Sequence, residues 1–117
     1  MRTAPEGAIM YNAGEDLKRS RLLKGRKAYK VMNYMLCNMQ CNNRVYFVMQ
    51  TIASEIGSTP QTVSRSIKEL CKVGLIAMCD KGECMVNPDV AYTRDYAKWK
   101  KKRFRKYQIA NAMKHSV

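Results

Sequence analysis

Residues 51–88 read TIASEIGSTPQTVSRSIKELCKVGLIAMCDKGECMVNP, and this stretch decides the fold of the chain. Thr51 can cap a short helix and Gly57 can end it, because glycine readily adopts the left-handed backbone conformation that closes a helix. A second and longer helix begins at once, with Ser58 or Thr59 as its N-terminal cap. The stretch therefore opens with two helices that are joined by a very short turn.

The second helix has one apolar face. Val63, Ile67 and Leu70 follow one another at steps of four and three residues, which places them on the same side of a helix. Pro60 suits the first turn, because the N–H that proline lacks is not needed there, and Gly74 supplies the C-terminal stop. We expect this helix to end near residue 73 and to pack its apolar face, with Cys71, against the core.

A β-hairpin is predicted next. Two runs of strand-forming residues, 75–79 and 84–86, flank Asp80-Lys81-Gly82-Glu83, and Gly82 can take the positive φ angle of a tight turn. Two helices at a short turn, followed by such a hairpin, are typical of a winged helix-turn-helix. The predicted fold class is therefore α+β, mainly α, with three helices, a small β-wing and a basic C-terminal helix.

The remaining elements flank this unit on both sides. Apolar residues at three- and four-residue steps predict a first helix over residues 24–40, and residues 45–48 indicate a brief strand that could pair with the hairpin. Residues 1–20 show no sustained periodicity, which predicts a flexible N-terminal arm with at most short structure. The predicted winged helix-turn-helix domain then covers residues 21–93, and a basic amphipathic helix covers residues 94–117.

The C-terminal helix, expected from about Arg94 to Lys114, mixes basic residues with large apolar ones. The apolar side chains recur at roughly helical spacing, and aromatic groups are costly to leave in water. We expect them to pack on the first helix or on a second subunit, and the latter arrangement would give a homodimer through this helix. They are Tyr92, Tyr96, Trp99, Phe104, Tyr107, Ala110 and Met113.

The charge of the chain indicates a polyanionic partner, and double-stranded DNA is the leading one. Its 22 basic and 9 acidic residues give a formal net charge of +13, which is more than solubility requires. Residues 1–50 carry a net charge of +6, residues 51–93 of −1 and residues 94–117 of +8. The basic ends would neutralise phosphates while the near-neutral middle contacts bases. Basic ends that only keep the chain soluble are the alternative.

The exposed side of the second helix carries the candidate base contacts. Gln61 can bond to adenine, Arg65 to guanine, and Thr62 can touch a thymine methyl group or a phosphate. Lys81 at the wing tip could enter a minor groove, contact a backbone phosphate or simply be exposed. The basic cluster at 98–106 could bind phosphates, form the solvated face of a dimerisation helix, or belong to a disordered tail. The expected phosphate-binding residues are Ser58, Thr59, Ser64, Lys68, Lys81, Lys27, Lys30, Lys98, Lys101, Lys102, Arg103 and Arg105.

The sequence contains no pattern typical of an enzyme. It has no Gly-rich phosphate loop and no cluster of carboxylates, and its one histidine is His115. The five cysteines include no Cys-x-x-Cys pair, so we expect free thiols and no metal site. No apolar run reaches the roughly 20 residues of a membrane span, and no signal peptide is evident. We therefore expect a cytoplasmic, non-catalytic protein that has no cofactor and no contact with the membrane.

Four motifs carry a family resemblance. They are Asn42-Asn43-Arg44-Val45-Tyr46, Gln61-Thr62-Val63-Ser64, the helix ending Leu70 to Gly74-Leu75-Ile76, and Met85-Val86-Asn87-Pro88. Over roughly residues 22–93, the chain resembles the RepL-type plasmid replication protein family. The resemblance implies three helices and a wing that bind a plasmid origin or a neighbouring control site. The helix-turn-helix part is also similar to that of many bacterial regulators, including the catabolite activator family.

Three functions stay open at this point. The first is a replication or maintenance protein of a plasmid or phage, which binds repeated DNA sites and recruits replication or segregation machinery. The second is a transcriptional repressor that occupies one palindromic operator as a dimer. The third is an adaptor whose winged helix binds a protein instead of DNA.

Overall fold

Five α-helices and five short β-strands make up the described part of the chain, residues 9–93 and 97–115 of a computed structural model. This content is α+β and mainly α, as predicted. A 3-10 turn at Cys41–Asn43 precedes the second strand. The elements are, in chain order, β1 (Ile9–Tyr11), α1 (Ala13–Ser20), α2 (Arg26–Cys37), β2 (Arg44–Tyr46), α3 (Met49–Ile56), α4 (Pro60–Lys72), β3 (Ile76–Asp80), β4 (Glu83–Val86), β5 (Ala91–Thr93) and α5 (Lys98–His115).

Local sequence signals set the junction between α3 and α4. Gly57 ends α3 in the left-handed conformation, with φ +67°, as predicted. Thr59 caps α4, because its hydroxyl oxygen accepts the backbone N–H of Thr62 at 3.3 Å. Pro60 occupies the first turn of α4. Three residues, 57–59, therefore separate the two helices.

Two predicted helix boundaries differ from the structure. The prediction that Thr51 caps α3 is wrong, because the helix already begins at Met49, directly after the extended residue Val48. The first long helix, α2, spans Arg26–Cys37 and is shorter at both ends than the predicted range 24–40. Its start is set by a carboxylate from α4, which is a long-range contact that the helical periodicity does not contain.

One hydrophobic core joins α2, α3 and α4 to a three-stranded antiparallel sheet with the order β2-β4-β3. Val63, Ile67 and Leu70 of α4 are buried in this core as predicted, and Cys71 is half-buried. The strand β2 pairs with β4, placing Val45 opposite Cys84. The predicted pairing of this strand with the hairpin is therefore confirmed.

The sheet is covered on both faces. Successive side chains of a strand point to opposite faces, and Cys84 and Val86 belong to the core that the helices share. Ala77 and Met85 form a second buried cluster with Phe104 of α5. The molecule thus has three layers: the helices α2, α3 and α4, the sheet, and α5 on the outer face of the sheet.

The position of α5 corrects the predicted packing of the C-terminal helix. This helix lies chiefly on the outer face of the sheet, not on the first helix of the domain. Only part of its apolar set is buried: Phe104 is 3% exposed, whereas Trp99 is 46% and Met113 69% exposed. Tyr92 lies in β5, and residues 94–96, with Tyr96, lie outside the described residues. Neither α5 nor any other helix in the described ranges has the length and apolar character that crossing a membrane requires.

The N-terminal region, predicted as a flexible arm with at most short structure over residues 1–20, contains one short strand and one short helix within residues 9–20. The strand β1 pairs antiparallel with β5, with Met10 opposite Tyr92. The helix α1 follows, and the side chain of Asn12 caps it by accepting the N–H of Glu15 at 3.2 Å. Residues 1–8 lie outside the described part. A strand of three residues gives too little periodicity to be recognised without its distant partner.

Cys37, Cys71, Cys79 and Cys84 are free thiols, in agreement with the sequence-based expectation. Burial raises the pKa of Cys71 and of Cys79 to about 11, and it also raises the pKa of Cys84. These three thiols are therefore protonated at neutral pH, and they serve as small apolar side chains in or beside the two buried clusters. The side chain of Cys41 lies outside the described part of the molecule.

Candidate nucleic-acid interface

The helix α4 presents one continuous polar stripe to solvent. Gln61, Arg65, Lys68 and Lys72 follow at steps of four, three and four residues, and all four side chains are exposed. The opposite side of α4 is fixed in the core. Long side chains that carry hydrogen-bond donors on a rigid helix can reach the edges of bases in a major groove.

The predicted base-reading residues do not share one environment. Gln61 and Arg65 are exposed on the stripe, as the prediction requires. Thr62 is half-buried, and its hydroxyl oxygen accepts a hydrogen bond from the hydroxyl of Thr59 at 3.0 Å. Thr59 and Thr62 are thus both engaged in the N-terminal cap of α4, so that Gln61 and Arg65 are the side chains most available for bases.

The start of α2 lies beside the start of α4. Arg26, Lys27, Thr62 and Arg65 line one shallow cavity of about 250 Å³ between the two helices. Lys27, a predicted phosphate contact, is half-buried, and its Nζ donates to the carbonyl of Gly57 at 3.5 Å. The sequence-based set does not include Arg26, whose position next to Arg65 depends on how the two helices pack.

Glu69, the acidic residue of α4, is engaged in hydrogen bonds within the protein. The Glu69 carboxylate accepts the backbone N–H groups of Lys24 and Gly25, at the N-terminus of α2. A carboxylate at this end of a helix interacts favourably with its unpaired N–H groups and its dipole. The exposed stripe of α4 therefore carries three cations, Arg65, Lys68 and Lys72, and no acidic side chain.

A second cavity, of about 750 Å³, lies on the other flank of α4. Ser64 and Lys68 of α4 line it together with Lys81 at the hairpin turn and Lys106 of α5. The helix α4, the hairpin turn and α5, which are distant in sequence, thus each contribute a cation to this cavity beside the stripe. We call this cavity the trench. The set of phosphate contacts predicted from the sequence contains Ser64, Lys68 and Lys81 but not Lys106. No local signal singles out Lys106, because its neighbours on α5 are equally basic.

The basic cluster of α5 is not uniform. Lys98, Lys102, Arg103 and Arg105 are exposed, as phosphate contacts must be, and so is Lys30 on α2. Two other lysines of the cluster have protein partners. Lys101 forms a salt bridge of 3.2 Å with Asp89, and Lys100 is buried, with its Nζ donating to the carbonyl of Thr93 at 2.9 Å.

Polar contacts connect α5 to the three-stranded sheet. Arg44 of β2 forms a salt bridge of 2.6 Å with Glu83 of β4 and donates to the Tyr107 hydroxyl at 3.3 Å. The Arg44 guanidinium also lies over the Tyr107 ring, 5.3 Å from its centroid. The side-chain amide of Asn111 binds the backbone of Met78 in β3, as a neighbouring strand would. Its Oδ1 accepts the N–H of Met78 at 2.8 Å, and its Nδ2 donates to the carbonyl of Met78 at 3.1 Å.

Replacing Asn111 with alanine is expected to weaken the attachment of the C-terminal part of α5 to β3. The substitution removes two hydrogen bonds at the edge strand, and we expect it to cost about 1–3 kcal/mol. Hydrogen exchange followed by NMR should show faster exchange of the Met78 amide. Asn33→Ala, at an exposed position of α2, is the control and should leave this amide protected. Unchanged protection in Asn111→Ala would contradict the contact.

Comparison with known proteins adds one finding. A family model described as Firmicute plasmid replication protein (RepL) matches residues 17–115. Searches of curated proteins and of solved structures gave no significant match. The matched region runs beyond residues 22–93. It includes α5, the helix that packs on the outer face of the sheet.

Proposed function

Because the chain belongs to the RepL family of Firmicute plasmid replication proteins, we propose that it binds a specific double-stranded DNA site at or beside a plasmid origin. The family gives the role in plasmid replication. The observation that supports DNA binding is the exposed stripe of Gln61, Arg65, Lys68 and Lys72 on a helix whose opposite face is fixed in the core. In this proposal the protein acts in the cytoplasm, where plasmid DNA resides, and it binds without catalysis.

The proposed docking follows from the α3–α4 pair and the hairpin. In a winged helix-turn-helix, the second helix enters the major groove by its N-terminal part. Gln61 and Arg65 lie in the first two turns of α4, where they would meet adenine and guanine. Lys81 at the hairpin turn would lie on the flanking phosphate backbone. The two exposed side chains thus account for base choice.

Affinity is expected to come mainly from the cations around the stripe. Phosphate contacts by lysine and arginine release counterions, so affinity falls as salt rises. Lys102, Arg103 and Arg105 of α5 are exposed and free of the salt bridge that engages Lys101. The residues that choose the sequence and the residues that supply affinity are therefore largely separate in the proposal.

Footprinting on plasmid DNA around the coding region tests the proposal. Protection of repeated sites in the origin would support a replication role. Protection of one symmetric site, with half-sites about one helical turn apart, would instead indicate a dimeric repressor. Light scattering on the free and the DNA-bound protein would show whether a dimer is present. A failure to bind any duplex at low salt would contradict DNA binding and would favour an adaptor.

A further inference from the structure

A groove runs between α4 and α5, beside the stripe. It joins the trench of about 750 Å³ to a neighbouring cavity of about 740 Å³, and both cavities are lined by Lys68, Cys71 and Asn111. On α4 the groove extends from Ser64 to Lys72, which is about 12 Å along a helix. This length matches two turns of a bound helix or a short extended segment.

The lining of the groove combines apolar and cationic groups, and among the described lining residues the one carboxylate, that of Asp80, lies in the cavity of about 750 Å³. Ile109 and Ala112 of α5 face Cys71 of α4 in the cavity of 740 Å³, and Ile109 is 56% exposed. Cations from both helices border the same cavity. They are Lys68, Lys72 and Arg105, and none of them forms a salt bridge within residues 9–93 and 97–115.

Neither a nucleic acid strand nor a second copy of the chain suits this lining well. A sugar-phosphate backbone gains little from Ile109 and Ala112. Single-stranded bases usually stack on aromatic rings; the aromatic residue among the described lining residues is Tyr107, whose hydroxyl already binds Arg44. A second copy carries a net charge of +13 and would be repelled by the basic border.

We infer that the groove between α4 and α5 binds an acidic amphipathic segment of a partner protein. Its apolar side chains pack on Ile109 and Cys71, and its carboxylates pair with Lys68, Lys72 and Arg105. Binding of an amphipathic segment in an apolar groove with complementary charges at its border is a common mode of peptide recognition. Lys68, Lys72 and Arg105 are also among the cations offered to DNA in the proposed function, whereas Ile109 and Cys71 are not, so the apolar contact is the part of the site that can be tested separately from DNA binding.

The substitution Ile109→Lys distinguishes an acidic amphipathic peptide from an anion that is bound by charge alone. The substitution removes the apolar contact and adds a positive charge, and the fold should tolerate it because Ile109 is exposed. A peptide that needs apolar packing should bind the variant at least tenfold more weakly. A ligand held only by its charge should bind it equally well or more tightly. Trp99→Lys, also exposed on α5 but outside the groove, is the matched control.

The experiment is a selection of phage-displayed random peptides on the full chain, with counter-selection on Ile109→Lys. Enriched peptides should carry Asp or Glu next to apolar residues. Synthetic copies, measured by fluorescence anisotropy, should bind the natural chain and Trp99→Lys alike and Ile109→Lys at least tenfold more weakly. Circular dichroism should show equal folding of all three proteins.

Three results of the peptide experiment would overturn the inference. They are no enrichment over the counter-selection, enriched peptides without acidic residues, and equal or tighter binding to Ile109→Lys. A single-stranded oligonucleotide that binds Ile109→Lys more tightly than the natural chain would assign the groove to nucleic acid and would also overturn it. Duplex binding is measured separately on the same proteins. A chain that binds the peptide but no duplex would contradict the proposed function alone.

Discussion

Replacing Asn43 with alanine is expected to lower the free energy of unfolding by about 3–5 kcal/mol, because three buried backbone groups lose their partner and each such group costs roughly 1 kcal/mol or more. Asn43 is fully buried, and its Nδ2 donates to the carbonyls of Val86 at 3.0 Å and Ala91 at 2.7 Å. Its Oδ1 accepts the N–H of Thr93 at 3.3 Å. One amide thus joins the end of β4 to β5.

The neighbouring asparagine provides a matched control. Asn42 and Asn43 both have positive φ angles, 66° and 62°, so alanine at either position meets the same backbone penalty of about 1–2 kcal/mol. Asn42 is exposed, and only Asn43 → Ala also removes the three buried hydrogen bonds. Urea denaturation of the two variants isolates their contribution. Equal losses of stability in both variants would show that the buried amide contributes nothing beyond its backbone conformation.

Replacing Arg65 with alanine is expected to weaken binding to the specific DNA site by about 1–3 kcal/mol, which is roughly 5- to 150-fold. The reason is the loss of a bidentate contact to guanine from the exposed stripe of α4. Binding to random duplexes should change far less. Titrations of the footprinted site and of variants at each base pair should show relaxed preference at one position.

The control for Arg65→Ala is a cation of α5. Lys102→Ala should weaken all duplexes alike and lower the slope of log affinity against log salt by about one. Lys102 suits this purpose better than Lys101, because Lys101 is paired with Asp89 and its removal also frees that carboxylate. An equal loss on specific and random DNA for Arg65→Ala would contradict base reading by this residue.

Elements that depend on local signals could be predicted from the sequence. Gly57 and Pro60 bound α3 and α4 because their backbone preferences act within one or two residues. The hairpin is equally local: Gly82, with φ +72°, lies in the turn between β3 and β4. The apolar steps of Val63, Ile67 and Leu70 correctly give the buried side of α4 and therefore its exposed stripe.

The errors concern contacts between distant parts of the chain. The strand β1 is recognisable only through β5, more than 75 residues later. The inward positions of α5 include Lys100, Phe104 and Asn111, which carry no apolar period. Lys100 binds the carbonyl of Thr93 in β5, Phe104 covers the three-stranded sheet, and Asn111 binds its edge strand β3. The aromatic pattern therefore predicted a buried Trp99 that the structure exposes. Lys106 joins the candidate site for the same reason, since only the docking of α5 brings it beside Lys68.

The packing of α5 on the outer face of the sheet has a consequence for protein synthesis. Residues 98–115 leave the ribosome after the whole α2–β4 unit, so the outer face of the sheet stays open until they arrive. A translation product that stops before residue 98 would expose Ala77 and Met85, and it would leave the Met78 edge of β3 unpaired. Such an edge invites aggregation. Truncated chains are therefore expected to be removed by proteolysis, and not to persist as fragments that occupy DNA.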